Sequence, residues 1–200
     1  MRVISGDRRG FRLKGPAGPG TRPMADKIKG SLFSMLDSLG VVPDRVLDLY
    51  AGTGSIGIEA MSRGAIHADF VEQNGPAVGV IRDNLRHTRF TDAARIYQVS
   101  VAAFLHHPPV GPPYDLIILD PPYADPGIVT TLELLGSAPL VQSSTVIAIG
   151  HSPRALLPEV VGRLQRLRER CHGDSCVSIY ELGSDGDEGA MASVEDVADA

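Results

Sequence analysis

Apolar and polar positions along this chain recur with two periods. Residues 24–39, MADKIKGSLFSMLDSL, place Ile28, Leu32, Phe33, Met35, Leu36 and Leu39 on one helical stripe. Beyond Pro43, short apolar runs alternate with helical patterns. The runs are RVLDLY, HADFVE, ARIYQV, YDLIIL and STVIAIG. The helices between them are expected from about Ser55 to Arg63, Pro76 to His87, Ala102 to Leu105 and Pro126 to Leu135. Runs that are apolar throughout suit strands covered on both faces, so the β-α-β-α rhythm predicts an α/β fold with a doubly wound, mostly parallel sheet. LQRLRER and CVSIYEL, joined around GDS, predict an antiparallel C-terminal hairpin at the sheet edge. Residues 2–14 alternate loosely around Gly6 and Gly10 and predict a small N-terminal hairpin, followed by the connector GPAGPGTRP.

Composition fits this picture. At 200 residues and 43% hydrophobic, the chain can bury one sizeable core. Three regions follow: a basic extension at 1–23, the main domain at 24–183 and an acidic tail at 184–200. Cys171 and Cys176 have neither a second pair nor a histidine cluster, so they read as two reduced thiols rather than a metal site. No apolar run approaches the roughly 20 residues of a membrane span, and the N-terminus lacks a signal-peptide core. The expectation is a soluble, cytoplasmic protein, a monomer, without metal.

The net charge of −5 is unevenly spread. Residues 1–30 carry Arg2, Arg8, Arg9, Arg12, Lys14, Arg22, Lys27 and Lys29 against Asp7 and Asp26, a net of +6. Residues 184–200 carry six acids and no basic side chain, the mark of a solvated, disordered tail. The basic end is a candidate phosphate-binding surface.

Two stretches carry chemistry. In VLDLYAGTGSIGIEA, residues 46–60, a strand runs through Ala51-Gly52-Thr53-Gly54 into a helix. Glycines allow the sharp turn, and the helix start offers unpaired N–H groups. Gly52, Gly54 and Gly57 match the dinucleotide fingerprint, and Glu72 stands 20 residues after Gly52, so a nicotinamide dehydrogenase is one reading. Asp48, just inside the strand end, repels a pyrophosphate but attracts an ammonium group. S-adenosylmethionine fits better. Asp48, Tyr50 and the Ala51–Gly54 loop would face its methionine part, Glu72 and Gln73 its ribose, and Ser100 and Val101 its adenine.

The second stretch is LDPPY, residues 119–123, where two prolines end an apolar strand behind a carboxylate. The exocyclic amine of a base is a poor nucleophile, because its lone pair is delocalised into the ring. Acceptors on its two N–H groups draw it out of the plane. Asp120 and the carbonyl of Pro121 are such acceptors, Pro122 stiffens the loop, and Tyr123 offers a ring for an extruded base. The motif does not distinguish guanine N2 from adenine N6. A non-catalytic RNA-binding protein would have no use for an intact motif of this kind.

The loop D-x-Y-A-G-T-G-S-x-G-x-E and the motif Asp120-Pro-Pro-Tyr123 resemble those of nucleic-acid amino-methyltransferases. The block RVISGDRRGFRLKGPAGPGTRPMADKIKGSLFSML and the late GDSCVSIYEL resemble the bacterial RsmD family over residues 1–182. That resemblance implies a Rossmann-like class I methyltransferase fold and S-adenosylmethionine-dependent methylation of guanine N2 in small-subunit ribosomal RNA. The partner would be the rRNA or the small subunit, with Arg2, Arg8, Arg9, Arg12, Lys14 and Arg22 on phosphates. Three positions depart from the family pattern: Gly150-His151, Met24-Ala25 and Ser100.

Overall fold

The computed structural model describes residues 1–15, 26–122 and 127–183. Arg22, Met24, Ala25, Tyr123 and the acidic tail lie outside the described residues. An eight-stranded sheet has the order β3-β2-β1-β4-β5-β8-β7-β6. Its strands are β1 (Arg45–Leu49), β2 (His67–Val71), β3 (Ala94–Tyr97), β4 (Leu116–Leu119), β5 (Val146–His151), β6 (Val160–Val161), β7 (Leu164–His172) and β8 (Ser175–Leu182). Strands β1 to β5 pair in parallel; β8 joins β5 antiparallel, as β7 joins β8 and β6 joins β7. The helices are α1 (Asp26–Ser38), α2 (Ser55–Ser62), α3 (Gly75–Thr88), α4 (Val101–His106) and α5 (Ile128–Ser137).

Alternation along the strands sorts the core into two layers. Val46, Phe70, Ile118, Ala148 and Ile179 face α1, α2 and α3, against Leu32, Leu36, Ile58 and Ile81. Leu47, Leu49, Ile117, Ile149 and Tyr180 face α4 and α5, against Phe104, Leu132 and Leu135. Helices on both faces make the sheet doubly wound, as the rhythm of the sequence predicts.

The antiparallel C-terminal hairpin of β7 and β8 ends the sheet at the side expected. The short strand β6 lies outside it, and β8 sits deep beside β5, where Cys176, Val177, Ser178, Ile179 and Tyr180 are buried. The expectation of two free thiols is corrected, because Cys171 and Cys176 form a disulfide. They stand directly opposite each other at the end of the β7–β8 ladder, with Cα atoms 4.0 Å apart. The hairpin turn supplies this closeness, which sequence spacing alone leaves open.

The N-terminal hairpin has a single bridge, Arg2 with Arg12, held by Val3, Phe11, Gly10 and Leu13 backbone bonds. Its apolar residues Val3 and Leu13 sit in the α1–α3 layer. Among the described residues no helix is long and apolar enough to cross a membrane.

Candidate active site

The parallel strands deliver the motif residues to one edge of the sheet. Leu49 pairs with Leu119, so the chain leaves β1 at Tyr50 beside Asp120, whose N–H points to the Leu49 carbonyl at 3.4 Å. Leu49 also pairs with Val71, which puts Glu72 on the other side of the glycine loop. Backbone torsions turn the chain sharply here: Tyr50, Gly52 and Gly54 all have positive φ, 58°, 55° and 74°. For a tyrosine this left-handed conformation is strained.

Asp48 lies beneath the loop, 1% exposed. Its Oδ2 accepts the Gly57 N–H at 2.9 Å, while Oδ1 is buried and has no hydrogen-bond partner. Burial holds its carboxyl well above the usual carboxylate range. The Gly57 N–H opposes this, and the charges of Asp120 and Glu72 push it further up. The third glycine of the fingerprint has a packing reason. A Cβ on Gly57 would stand 2.4 Å from the Phe70 ring and 3.1 Å from Asp48 Oδ2.

Glu72 ties the loop to β2. Its Oε2 accepts from Gly52 N–H and its Oε1 from Asn74 N–H, each at 2.8 Å. A carboxylate has about four acceptor sites, so two remain for hydroxyl groups. Gln73 is exposed beside it. Ser100 caps α4 by accepting from Ala103 N–H at 3.2 Å, and the Val101 side chain belongs to the α4–α5 core. What that segment offers a ligand is therefore the free N–H groups of the first turn of α4. Thr53 is buried, and its hydroxyl lies 3.7 Å from Met1 Sδ. Pro121 is buried and Pro122 exposed. Three carboxylates, Asp48, Glu72 and Asp120, thus stand at neighbouring strand ends, a setting that favours a cationic ligand and disfavours a pyrophosphate. Among the described residues no group of His, Cys, Asp and Glu is arranged to hold a metal ion.

The basic extension divides into working parts. Lys29 is fully buried, 3.3 Å from Glu59 and donating to the Arg2 carbonyl, so it is no phosphate ligand. Arg8 donates from Nε to the Thr88 carbonyl at 2.8 Å and covers the Phe90 ring. Lys14 pairs with Asp83 at 2.6 Å. Arg2, Arg9 and Arg12 are exposed. Sequence reasoning missed the partner surface on α3. Arg12, Lys14, Asp83, Asn84, Arg86 and His87 line a groove of about 450 Å³ between hairpin and helix, with the Phe11 ring centred 5.3 Å from that of His87 and tilted 50° to it. The cue in the sequence was the polar face of α3, RDNLRH.

A Rossmann-like sheet of this order, ending in an antiparallel hairpin and carrying this glycine loop and proline motif, defines a class I methyltransferase fold. The family described as Conserved hypothetical protein 95 matches residues 1–181, and the chain belongs to it, the RsmD family. The chain is 37% identical over 184 residues to YlbH of Bacillus subtilis, named as a candidate rRNA methyltransferase, covering 90% of this chain and 98% of that one. It is 28% identical to the ribosomal RNA small subunit methyltransferase D of Escherichia coli, over 95% of this chain and 94% of that protein. The solved structure of the Escherichia coli protein YhhF superposes with a TM-score of 0.77 at 28% identity, over 91% of this chain and 97% of the other.

Proposed function

We infer that this chain methylates the exocyclic N2 amine of a guanine in small-subunit ribosomal RNA, using S-adenosylmethionine. The observation that carries the cofactor part of this reading is the buried, unpartnered Oδ1 of Asp48 among three carboxylates. S-adenosylmethionine brings two positive charges, its ammonium and its sulfonium, and supplies an activated methyl group. Asp48 would receive the ammonium, the Ala51–Gly54 backbone would lie along the methionine part, and Glu72 would accept from the ribose. A nicotinamide dinucleotide would set its pyrophosphate against the same carboxylates.

Asp120 and the Pro121 carbonyl would accept the two N–H groups of the target amine and turn its lone pair out of the ring plane. Tyr123, by sequence, would stack the extruded base. Much of the rate is then alignment rather than strong base catalysis. The names of the relatives support ribosomal RNA as the substrate class, and guanine N2 is what the resemblance of the N-terminal block to the RsmD family implies.

The test is transfer from labelled S-adenosylmethionine to small subunits of a strain lacking its own guanine-N2 enzyme, with nucleoside mass spectrometry of the product. N2-methylguanosine is the expected product. N6-methyladenosine would retain the site and change the base. Asp120→Ala should lower turnover by at least about a thousandfold while changing cofactor affinity only a few-fold. Near wild-type turnover would remove Asp120 from the chemistry.

A further inference from the structure

The amino-terminal ends of the parallel strands, opposite the glycine loop, hold a separate cavity of about 320 Å³. Arg45, His67, Asp69, Arg95 and Tyr97 line it. All five share strand parity with Leu47, Leu49 and Val71, so they project to the α4 side of the sheet. Helix α4 starts at the carboxyl edge and has only six residues, about 9 Å of rise, which leaves this end uncovered. Tyr114, Leu140 and the segment 109–112 complete the walls.

Negative charge inside the cavity is already spent. Asp69, 2% exposed, accepts from the Tyr114 hydroxyl at 2.6 Å, bonds His67 Nε2 at 3.0 Å and lies 4.0 Å from the Arg45 guanidinium. Burial, and then the bond to Asp69, push the Tyr114 phenol up, so it stays a donor. One guanidinium, that of Arg45, and the His67 imidazole therefore already share the Asp69 carboxylate. Arg45 Nε is shut off from solvent with no acceptor, and Arg95 has no carboxylate partner among the described residues. The partly exposed end of the Arg45 guanidinium, rather than its buried Nε, is what an oxyanion in the cavity would meet.

We propose that this cavity binds a phosphate group, with Arg45 and Arg95 as its guanidinium donors and His67 beside them. Two forks supply more N–H groups than the two oxygens of a carboxylate can take, whereas a phosphate offers three or more. The volume, the Tyr114 ring and the apolar Leu140 and Pro109 leave room for a group attached to the phosphate. The phosphate belongs either to a free phosphorylated compound or to the backbone of bound RNA. The proposal does not rest on the methyl-transfer reading.

The probes are inorganic phosphate and adenosine 5′-monophosphate, titrated against the full chain while the His67 ring signals are followed by NMR. A saturable shift is expected, and Arg95→Gln should weaken it at least about tenfold. Arg95 is exposed, so this variant should melt with the wild type, and its S-adenosylmethionine affinity should be unchanged. If RNA supplies the phosphate, Arg95→Gln also lowers the salt slope of RNA binding by about one. If the slope stays while the small anions lose affinity, a free compound is the ligand. No saturable His67 shift up to about 10 mM of either anion, together with an unchanged slope, overturns the proposal.

Discussion

At the scale of single residues, Asp48 combines a structural cost with a binding role. A carboxyl whose folded pKa is raised binds more protons in the folded state than in the unfolded one, so unfolding free energy falls as pH rises between the two values. The ligand-free protein should therefore gain stability from this group as pH is lowered from the raised pKa toward the ordinary carboxylate value. That is opposite to the usual salt-bridged carboxylate. Asp48→Asn should abolish this component and melt higher than wild type at pH 8 without ligand. The same variant should bind S-adenosylmethionine at least about tenfold more weakly, because the ammonium loses its counter-charge. Thermal melts across pH together with calorimetry check both halves; a variant that binds the cofactor normally would move the ammonium site elsewhere. Gly57→Ala is a different case. The methyl group meets the buried Phe70 ring, and the cost should be about 1–3 kcal/mol in denaturant unfolding.

At the scale of elements, the N-terminal hairpin shows what the sequence reveals and what it hides. The alternation around Gly6 and Gly10 announces a turn, but not how the hairpin is docked. Glu59 does the docking: its carboxylate accepts from Ile4 N–H at 2.7 Å and Ser5 N–H at 2.9 Å, pairs with buried Lys29 and receives Arg63 Nε at 3.0 Å. Glu59 and Lys29 sit 30 residues apart, and only the folded topology joins them. Strand and helix order were legible because local periodicity carries them. The disulfide, the edge strand β6 and the groove on α3 were not, because each depends on which distant segments become neighbours. The motif carboxylates were legible, since strand ends in a parallel sheet fall on one edge. Glu59→Gln should cost about 3–5 kcal/mol, as one partner of a buried pair is lost. Replacing Lys29 and Glu59 together by Met and Leu should recover part of it; a single variant within about 0.5 kcal/mol of wild type would deny Glu59 this role. Closing the short loop between Cys171 and Cys176 should contribute about 2 kcal/mol, so Cys171→Ser should lower stability under oxidising conditions and leave it unchanged in reductant.

At the scale of the whole molecule, a chain of net charge −5 must recognise RNA through local geometry rather than total charge. The hairpin runs along α2. Met1 stands near Thr53 at the glycine loop, whereas Asp7 donates to Ser62 at the last residue of α2, about 10 Å of helix rise away. Arg2 and Arg12 are thus on the limbs of the hairpin, nearer the site, and Arg9 is at its tip. These positions predict unequal effects of equal charge changes. Arg2→Gln and Arg12→Gln should each reduce the slope of log affinity against log salt by about 0.7–0.9, with little change in melting temperature. Lys14→Gln should reduce it less, because Asp83 already neutralises that ammonium, and the pairing keeps the Asp83 carboxyl below the usual range. Arg8→Gln should act mainly on stability, since Arg8 Nε closes the end of α3 at the Thr88 carbonyl. Filter binding of a small-subunit rRNA fragment from 50 to 300 mM salt, on the four variants side by side, reads these differences (about one phosphate contact per unit of slope). Equal losses at all four positions would mean a diffuse field. An unchanged slope for Arg2→Gln and Arg12→Gln would take the RNA off the hairpin limbs altogether.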